Sequence, residues 1–361
     1  MKVLPTLALA GLLFLPTALS AQGERYTLDD EDIAVYNLAG ALTVKPGTGP
    51  LTVEVARGGA DAAKLRVEQG ELDDRETLRI VYPADAIVYA GMERGSSTTL
   101  RVREDGTFGH NHDGDDWDDR HDRAERRGGR RVRIAGDGDG LRAYADLNVK
   151  MPVGASLALN LAVGKVSIAN VNGELVVDGH SAPITATGTR GKLIVDVGSG
   201  PVHVSNAQGE LRVDTGSGPV EVTGFNGTDL SIDTGSGSVT GSDLKASELQ
   251  VDTGSGDISL TAVTAPVLSL ETGSGSVTAD LRGTLRELGV ETGSGDISVR
   301  APASLAGEVE IETASGEIET DFALQITRHS RDHMVGQIGS GPGRIAIETG
   351  SGDVRLLKNP N

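Results

Sequence analysis

The sequence contains no cysteine, which excludes disulfides, zinc–thiolate sites and a lipid-modified cysteine anchor. Aromatic residues make up only 3% of its 361 positions, and the one tryptophan, Trp117, lies in a charged segment, so an aromatic-lined substrate groove is not expected. Positive charge is in the minority: 33 Lys and Arg stand against 52 Asp and Glu, a formal net charge of −19. Such a surface repels nucleic acid and anionic membranes, so nucleic acid is set aside as a partner. Long apolar runs are missing after the first residues, and no later stretch approaches the ~20 residues a membrane-spanning helix needs.

Glycine is abundant, 50 residues in all, about double the usual ~7% share. It comes without a Gly-X-Y period, so collagen is excluded. Glycine with many Val, Leu and Ile points to short strands joined by tight turns. The first residues, MKVLPTLALAGLLFLPTALSAQG, carry Lys2, an apolar core from Val3 to Leu15 and small residues at Ala18-Leu19-Ser20-Ala21. Residues 1–21 therefore read as a secretory signal peptide. The expected location is outside the cytoplasm: periplasm, cell surface or extracellular.

Internal repetition organises the rest. Val213-Asp214-Thr215-Gly216-Ser217-Gly218 recurs as IDTGSG at 232, VDTGSG at 251, LETGSG at 270 and VETGSG at 290. VDVGSG at 195, IETASG at 311 and IETGSG at 347 are further copies, and VDGHSA at 177 and LNLAVG at 159 are faded ones. On each side of the glycines aliphatic residues alternate with polar ones, as in Leu249, Val251, Ile258 and Leu260, which is the period of a strand with one buried face. Gly-Ser-Gly is the turn. Each unit is thus strand, tight turn, strand, looser turn, and buries its aliphatics only by stacking on its neighbours.

The expected fold is all-β: a β-solenoid of about ten coils over residues 151–358, a rod roughly 45–50 Å long at ~4.8 Å per coil. Residues 22–150 fall out of register but still alternate, at Leu42-x-Val44, Leu51-x-Val53-x-Val55 and Leu78-x-Ile80-x-Tyr82, and read as a strand-rich N-terminal cap. An open solenoid end would otherwise pair with other chains. Residues 104–131 have almost no aliphatics and switch from acidic to basic, the composition of a disordered loop. Leu100-x-Val102 and Val132-x-Ile134 would flank it as a hairpin. Residues 320–343, with Phe322 and the run Arg328-His329-Ser330-Arg331-Asp332-His333, read as an insertion that caps the other end.

The serial (V/I/L)-(D/E)-T-G-S-G units, with the closing Val335-Gly336-Gln337-Ile338-Gly339 and Ile345-Ala346-Ile347-Glu348-Thr349-Gly350-Ser351-Gly352-Asp353-Val354, resemble the bacterial putative-adhesin family with β-strand repeats, a domain of unknown function. The resemblance covers roughly 35–358, apart from the 104–131 loop and the 320–343 insertion. It implies a repeat fold and a surface role, and brings no catalytic residues.

Candidate sites are few. Asp196, Asp214, Asp233, Asp252, Glu271, Glu291 and Glu312 should stack in one outward row. Asp214, Asp233, Asp252, Glu271 and Glu291 are the candidates for Ca²⁺, a cation suited to such hard oxygen ligands. The plainer reading is that each carboxylate accepts N–H groups of its own Thr-Gly-Ser turn. No other cofactor is indicated. Thr215, Thr234, Thr253, Thr272 and Thr292, with the serines two places on, form hydroxyl columns at the turns, read as hydrogen bonding between stacked turns rather than as an ice-binding face. His110, His112 and His121 with Asp113, Asp115, Asp116, Asp118 and Asp119 lack rigid metal-ligand spacing, and read as a solvated loop. The i, i+4 pair His329 and His333 reads as chance. A Gly-Ser-Gly nucleophile would need a histidine base, and His180 and His203 have no partner acid at a telling spacing. The expected function is a non-catalytic exported envelope or cell-surface repeat protein, an adhesin or scaffold binding a protein or surface ligand. The alternative is a periplasmic envelope-stress or sensor scaffold that binds a partner through the charged loop.

Overall fold

A computed structural model describes residues 23–72, 74–109 and 129–360. The expected signal peptide, residues 1–21, and residues 110–128 of the charged loop, with His110, His112, His121, Asp113, Asp115, Asp116, Asp118, Asp119 and Trp117, lie outside the described residues.

The described residues are all-β with one short 3₁₀ turn, Ala62–Lys64, and no helix among them is long and apolar enough to cross a membrane. One repeat shows why. In Glu248–Thr253 the side chains of Leu249, Val251 and Thr253 point inward, and after the turn Ile258–Val263 buries Ile258, Leu260 and Val263. Corresponding strands of successive coils pair in parallel, so Leu230, Leu249, Leu268 and Leu288 stand in one column. The result is two parallel ladders, one from each half of the unit, whose inner faces share a single apolar core.

The turn is tight enough to require glycine. A Cβ on Gly256 would lie 2.0 Å from the carbonyl oxygen of Gly237, and one on Gly237 would lie 1.9 Å from that of Gly218. The second glycines of successive turns are packed backbone on backbone, with no room for a side chain.

The long strand Asp32–Pro46 turns the corner and serves both ladders, pairing in parallel with Ser156–Ala169. Beyond it, the first ladder adds Arg75–Val81 in parallel and then Arg66–Leu72 antiparallel. The second adds Tyr144–Met151 in parallel, then Leu51–Gly58 and Glu24–Leu28 antiparallel. A separate three-stranded sheet, Ala86–Val88, Ser97–Val102 and Arg130–Ala135, carries the charged loop. Leu100 faces Val132 across its antiparallel pair.

The other end departs from a simple reading of the repeat. Sequential stacking would put Glu312 next to Glu291. Instead Glu287–Thr292 pairs with Gly343–Thr349, and Gly343–Thr349 pairs on its other side with Gly307–Thr313. The same order holds in the second ladder, where Val354–Lys358 lies between Ile297–Ala301 and Ile318–Thr320. The Glu348 coil therefore sits between the Glu291 and Glu312 coils. The chain skips one slot after Ala301, lays down the Glu312 coil, makes an excursion, and returns to fill the gap. That excursion is the hairpin Leu324–His329 and His333–Ile338, whose second strand pairs antiparallel with Gly307–Thr313 and covers its edge.

Candidate functional site

The outward row of carboxylates is continuous in register. Asp178 pairs with Asp196, and Asp196 with Asp214. The row continues through Asp233, Asp252, Glu271 and Glu291. Glu348 follows Glu291 and Glu312 comes last, which corrects the expected Glu291–Glu312 adjacency. Asp233 feels the crowding: burial, then the charges of Asp214 and Asp252, push its carboxyl above the usual range, against the opposing pull of Arg212. The five Ca²⁺ candidates stand in single file, one per coil. Among the described residues no three His, Asp or Glu side chains converge to hold a metal.

The first glycine of the turn donates its N–H along the stack. The N–H of Gly235 donates to the carbonyl of Thr215 at 3.0 Å, Gly254 to Thr234 at 3.0 Å and Gly273 to Thr253 at 3.0 Å. Carboxylates one position past the second glycine accept N–H groups of the neighbouring coil. Asp257 accepts from Ser276 N–H at 2.9 Å, Asp296 from Asp353 N–H at 2.9 Å, and Asp353 from Glu317 N–H at 3.1 Å. Each of these three aspartates ties its own coil to a neighbouring one.

The motif threonines do link stacked turns, but from inside. Thr253, Thr272 and Thr292 are buried, and their hydroxyls donate to the carbonyls of Gly237, Gly256 and Gly275 at 3.1, 2.9 and 2.8 Å. An inward hydroxyl row excludes an ice-binding reading of these threonines. The alternation Leu211-x-Val213-x-Thr215 already places the threonine on the aliphatic face. Its polar side chain masks that signal. Thr215 Oγ1 is the exception: it is buried without a hydrogen-bond partner. Its turn ends in Gly218-Pro219, with Gly218 at a φ of +150°, and differs from the turns above it.

The two outer faces differ in chemistry. On the first ladder a second charged column, four residues before the main row and separated from it by Val176, Ile194, Arg212, Ser231 and Gln250, contains Glu174, Lys192, Glu210, Asp229 and Glu248. Lys192 reaches Glu210 at 3.7 Å and Glu174 at 4.0 Å. The second ladder instead carries hydroxyls. Thr187, Ser205, Thr223, Ser242 and Thr261 form one column, and Thr240, Ser259, Thr278 and Ser298 another. Thr187 Oγ1 and Ser205 Oγ lie 3.0 Å apart. The signal for these columns is the outward position in Ile184-Thr-Ala-Thr and Val202-His-Val-Ser.

The histidines acquire partners that sequence spacing conceals. His203 Nδ1 lies 3.0 Å from Glu221 of the next coil, and His180 Nε2 lies 2.7 Å from Thr98 of the side sheet. His329 and His333 flank the turn of the C-terminal hairpin, where His333 Nε2 lies 3.1 Å from Glu310.

A groove of about 200 Å³ opens on the first ladder near its N-terminal end, lined by Asp32, Tyr36, Arg75, Asn160, Glu174 and Asp178. The root of the charged loop lies beside it. Phe108 is buried edge-on against Tyr36 at a centroid distance of 5.9 Å. A Cβ on Gly109 would lie 2.4 Å from an Asp178 carboxylate oxygen. The loop therefore leaves the rod over the start of the acidic row.

Comparison with known proteins adds one firm result. The family model described as Toastrack DUF4097 matches residues 183–357. No curated protein matches the chain. A crystal structure described as that of a "putative cell adhesion protein" from Clostridium sporogenes ATCC 15579 aligns over 94% of this chain and 99% of that one, at 11% identity and a TM-score of 0.20. A TM-score that low carries no argument. The parallel strand repeats lie where that family model matches, and the repeat region at residues 183–357 is similar to Toastrack DUF4097, a domain of unknown function.

Proposed function

We propose that this protein is an exported, non-catalytic rod, a solenoid of about ten coils that presents its flat sides for adhesion or scaffolding. One observation carries the reading: the outer faces keep their chemistry from coil to coil, acidic on the first ladder and rich in hydroxyls on the second. A surface that repeats itself at a strand spacing suits a long or repetitive partner better than a small substrate. The acidic face favours a cationic partner, with on-rates that fall as salt rises. The signal-like leader supports placing the rod outside the cytoplasm.

Protease shaving of intact cells, with a periplasmic marker as control, tests this reading. Cleavage of the chain while the marker survives is the expected result for a surface rod. Protection until the envelope is opened would overturn surface display and leave the periplasmic scaffold.

That second reading has its own support in the seating of the loop root by Phe108 and Gly109 over the acidic row. Deleting residues 110–128 separates the two. Loss of a partner from an intact rod supports recognition through the loop, and unchanged binding removes it.

A further inference from the structure

The Glu348 coil has both of its neighbours laid down before it in the chain. On one side its first strand makes the register pairs Glu287↔Arg344 through Thr292↔Thr349, and on the other Gly307↔Gly343 through Thr313↔Thr349. Ile297 N–H donates to Asp353 O at 2.9 Å, and Val354 N–H donates to Glu317 O at 2.9 Å. The hydroxyl of Thr349 reaches Gly295 O at 3.0 Å, and that of Thr313 reaches Gly352 O at 2.9 Å. The Glu312 coil and its hairpin are therefore joined to the rod through this inserted coil and the short link 302–306.

We propose that residues 343–358 are an exchangeable coil, and that the slot between the Glu291 and Glu312 coils accepts the same segment from a second copy of this chain. Three features carry the proposal. First, the coil is not consecutive with the Glu291 coil on which it lies. Its covalent link to the Glu312 coil runs through the hairpin of 321–342, which stays paired on Gly307–Thr313, so only the strand-free residues 339–342 have to be re-routed for the coil to leave its slot. Second, the segment before it, Gly339-Ser340-Gly341-Pro342, begins with Gly339 at a φ of +56°, a hinge that can reverse without side-chain strain. Third, the ladder and turn contacts that hold the segment are made to repeats of the same motif, so they are identical whether the segment arrives in cis or in trans. Exchange of an identical element between protomers sacrifices none of those contacts, which makes it a low-cost route to a dimer.

The absence of cysteine allows a clean test on the full-length chain. Glu291 and Glu348 are exposed and directly opposed across the slot. Chains carrying Glu291→Cys and chains carrying Glu348→Cys are mixed, unfolded, refolded together at high concentration and oxidised. A disulfide-linked dimer of twice the chain mass is expected. A mixture of Glu291→Cys with Glu210→Cys chains measures random collision, because Glu210 lies several coils from the slot. The double variant Glu291→Cys/Glu348→Cys checks that the coil is seated, since it must close an intrachain disulfide when dilute. If it does so while the mixed chains cross-link no more than the collision control, exchange is overturned. If the double variant fails to close even when dilute, the inserted position of the coil is itself wrong and the proposal falls with it.

Discussion

Thr215 and Thr253 occupy equivalent inward positions, yet their hydroxyls meet different surroundings. Thr253→Val removes a buried hydrogen bond to Gly237 and leaves that carbonyl without its donor. It should lower stability by about 1 kcal/mol, read as a lower urea midpoint at unchanged slope. Thr215→Val removes a buried hydroxyl that has no partner, and its register neighbour one coil earlier is already Val197. Its midpoint should stay level or rise. Outward, Asp233 carries the cost of the carboxylate row. Its carboxyl binds protons more readily folded than unfolded, so ionising it destabilises the fold at neutral pH. That penalty disappears as the pH falls through its raised pKa. Asp233→Asn should therefore raise stability at pH 7, by roughly 0.2–1 kcal/mol for a like-charged cross-strand neighbour. The gain should vanish in acid, and thermal melts at both pH values check the sign.

At the level of the element, turn and strand are specified by different constraints. Gly256→Ala would force a methyl against Gly237 O. Overpacking of this kind costs on the order of 1–3 kcal/mol, and a circular dichroism melt of the variant should show it. The strands were legible in the sequence because Leu249, Val251, Ile258 and Leu260 alternate with polar residues and all four are buried. The order of the last coils was not legible. Ile345-Ala346-Ile347-Glu348-Thr349 fits beside Glu287–Thr292 as well as Gly307–Thr313 does, because parallel coils with one motif present the same register to any neighbour. The candidate row was legible for a similar reason, one acid per unit at fixed spacing, while the lateral partners were hidden. His203 meets Glu221, and Thr349 meets Gly295, only because stacking brings distant units together. The covering hairpin gives a further test. Replacing residues 321–342 with a short Gly-Ser linker should uncover the edge of Gly307–Thr313 and make the chain associate with rising concentration. Light scattering that stays monomeric would show that the hairpin is not what protects that edge.

For the whole molecule, the decisive property is that stability and shape are sums over neighbouring coils. Residues 248–266 make up one unit, since Glu248 stands in register with Val267 and Ile258 with Val277. Removing 248–266 joins Ser247 to Val267, which takes the vacated place of Glu248 beside Asp229. The Asp233 and Glu271 carboxylates then become neighbours, and the hydroxyl and apolar columns close over the gap. The shortened chain should fold, keep both end caps and lose about 5 Å of length by small-angle scattering. Removing only 248–265 leaves one residue too many. A one-residue slip turns every side chain of a strand to the opposite face, so Leu268 and Leu270 would point outward and Ser269 and Glu271 into the core. That chain should bulge locally or lose cooperativity, with a broadened melt. If the two deletions behave alike, the coils are not the units of this fold. If the first folds and the second does not, the rod is additive, and its length is set by how many units the chain carries.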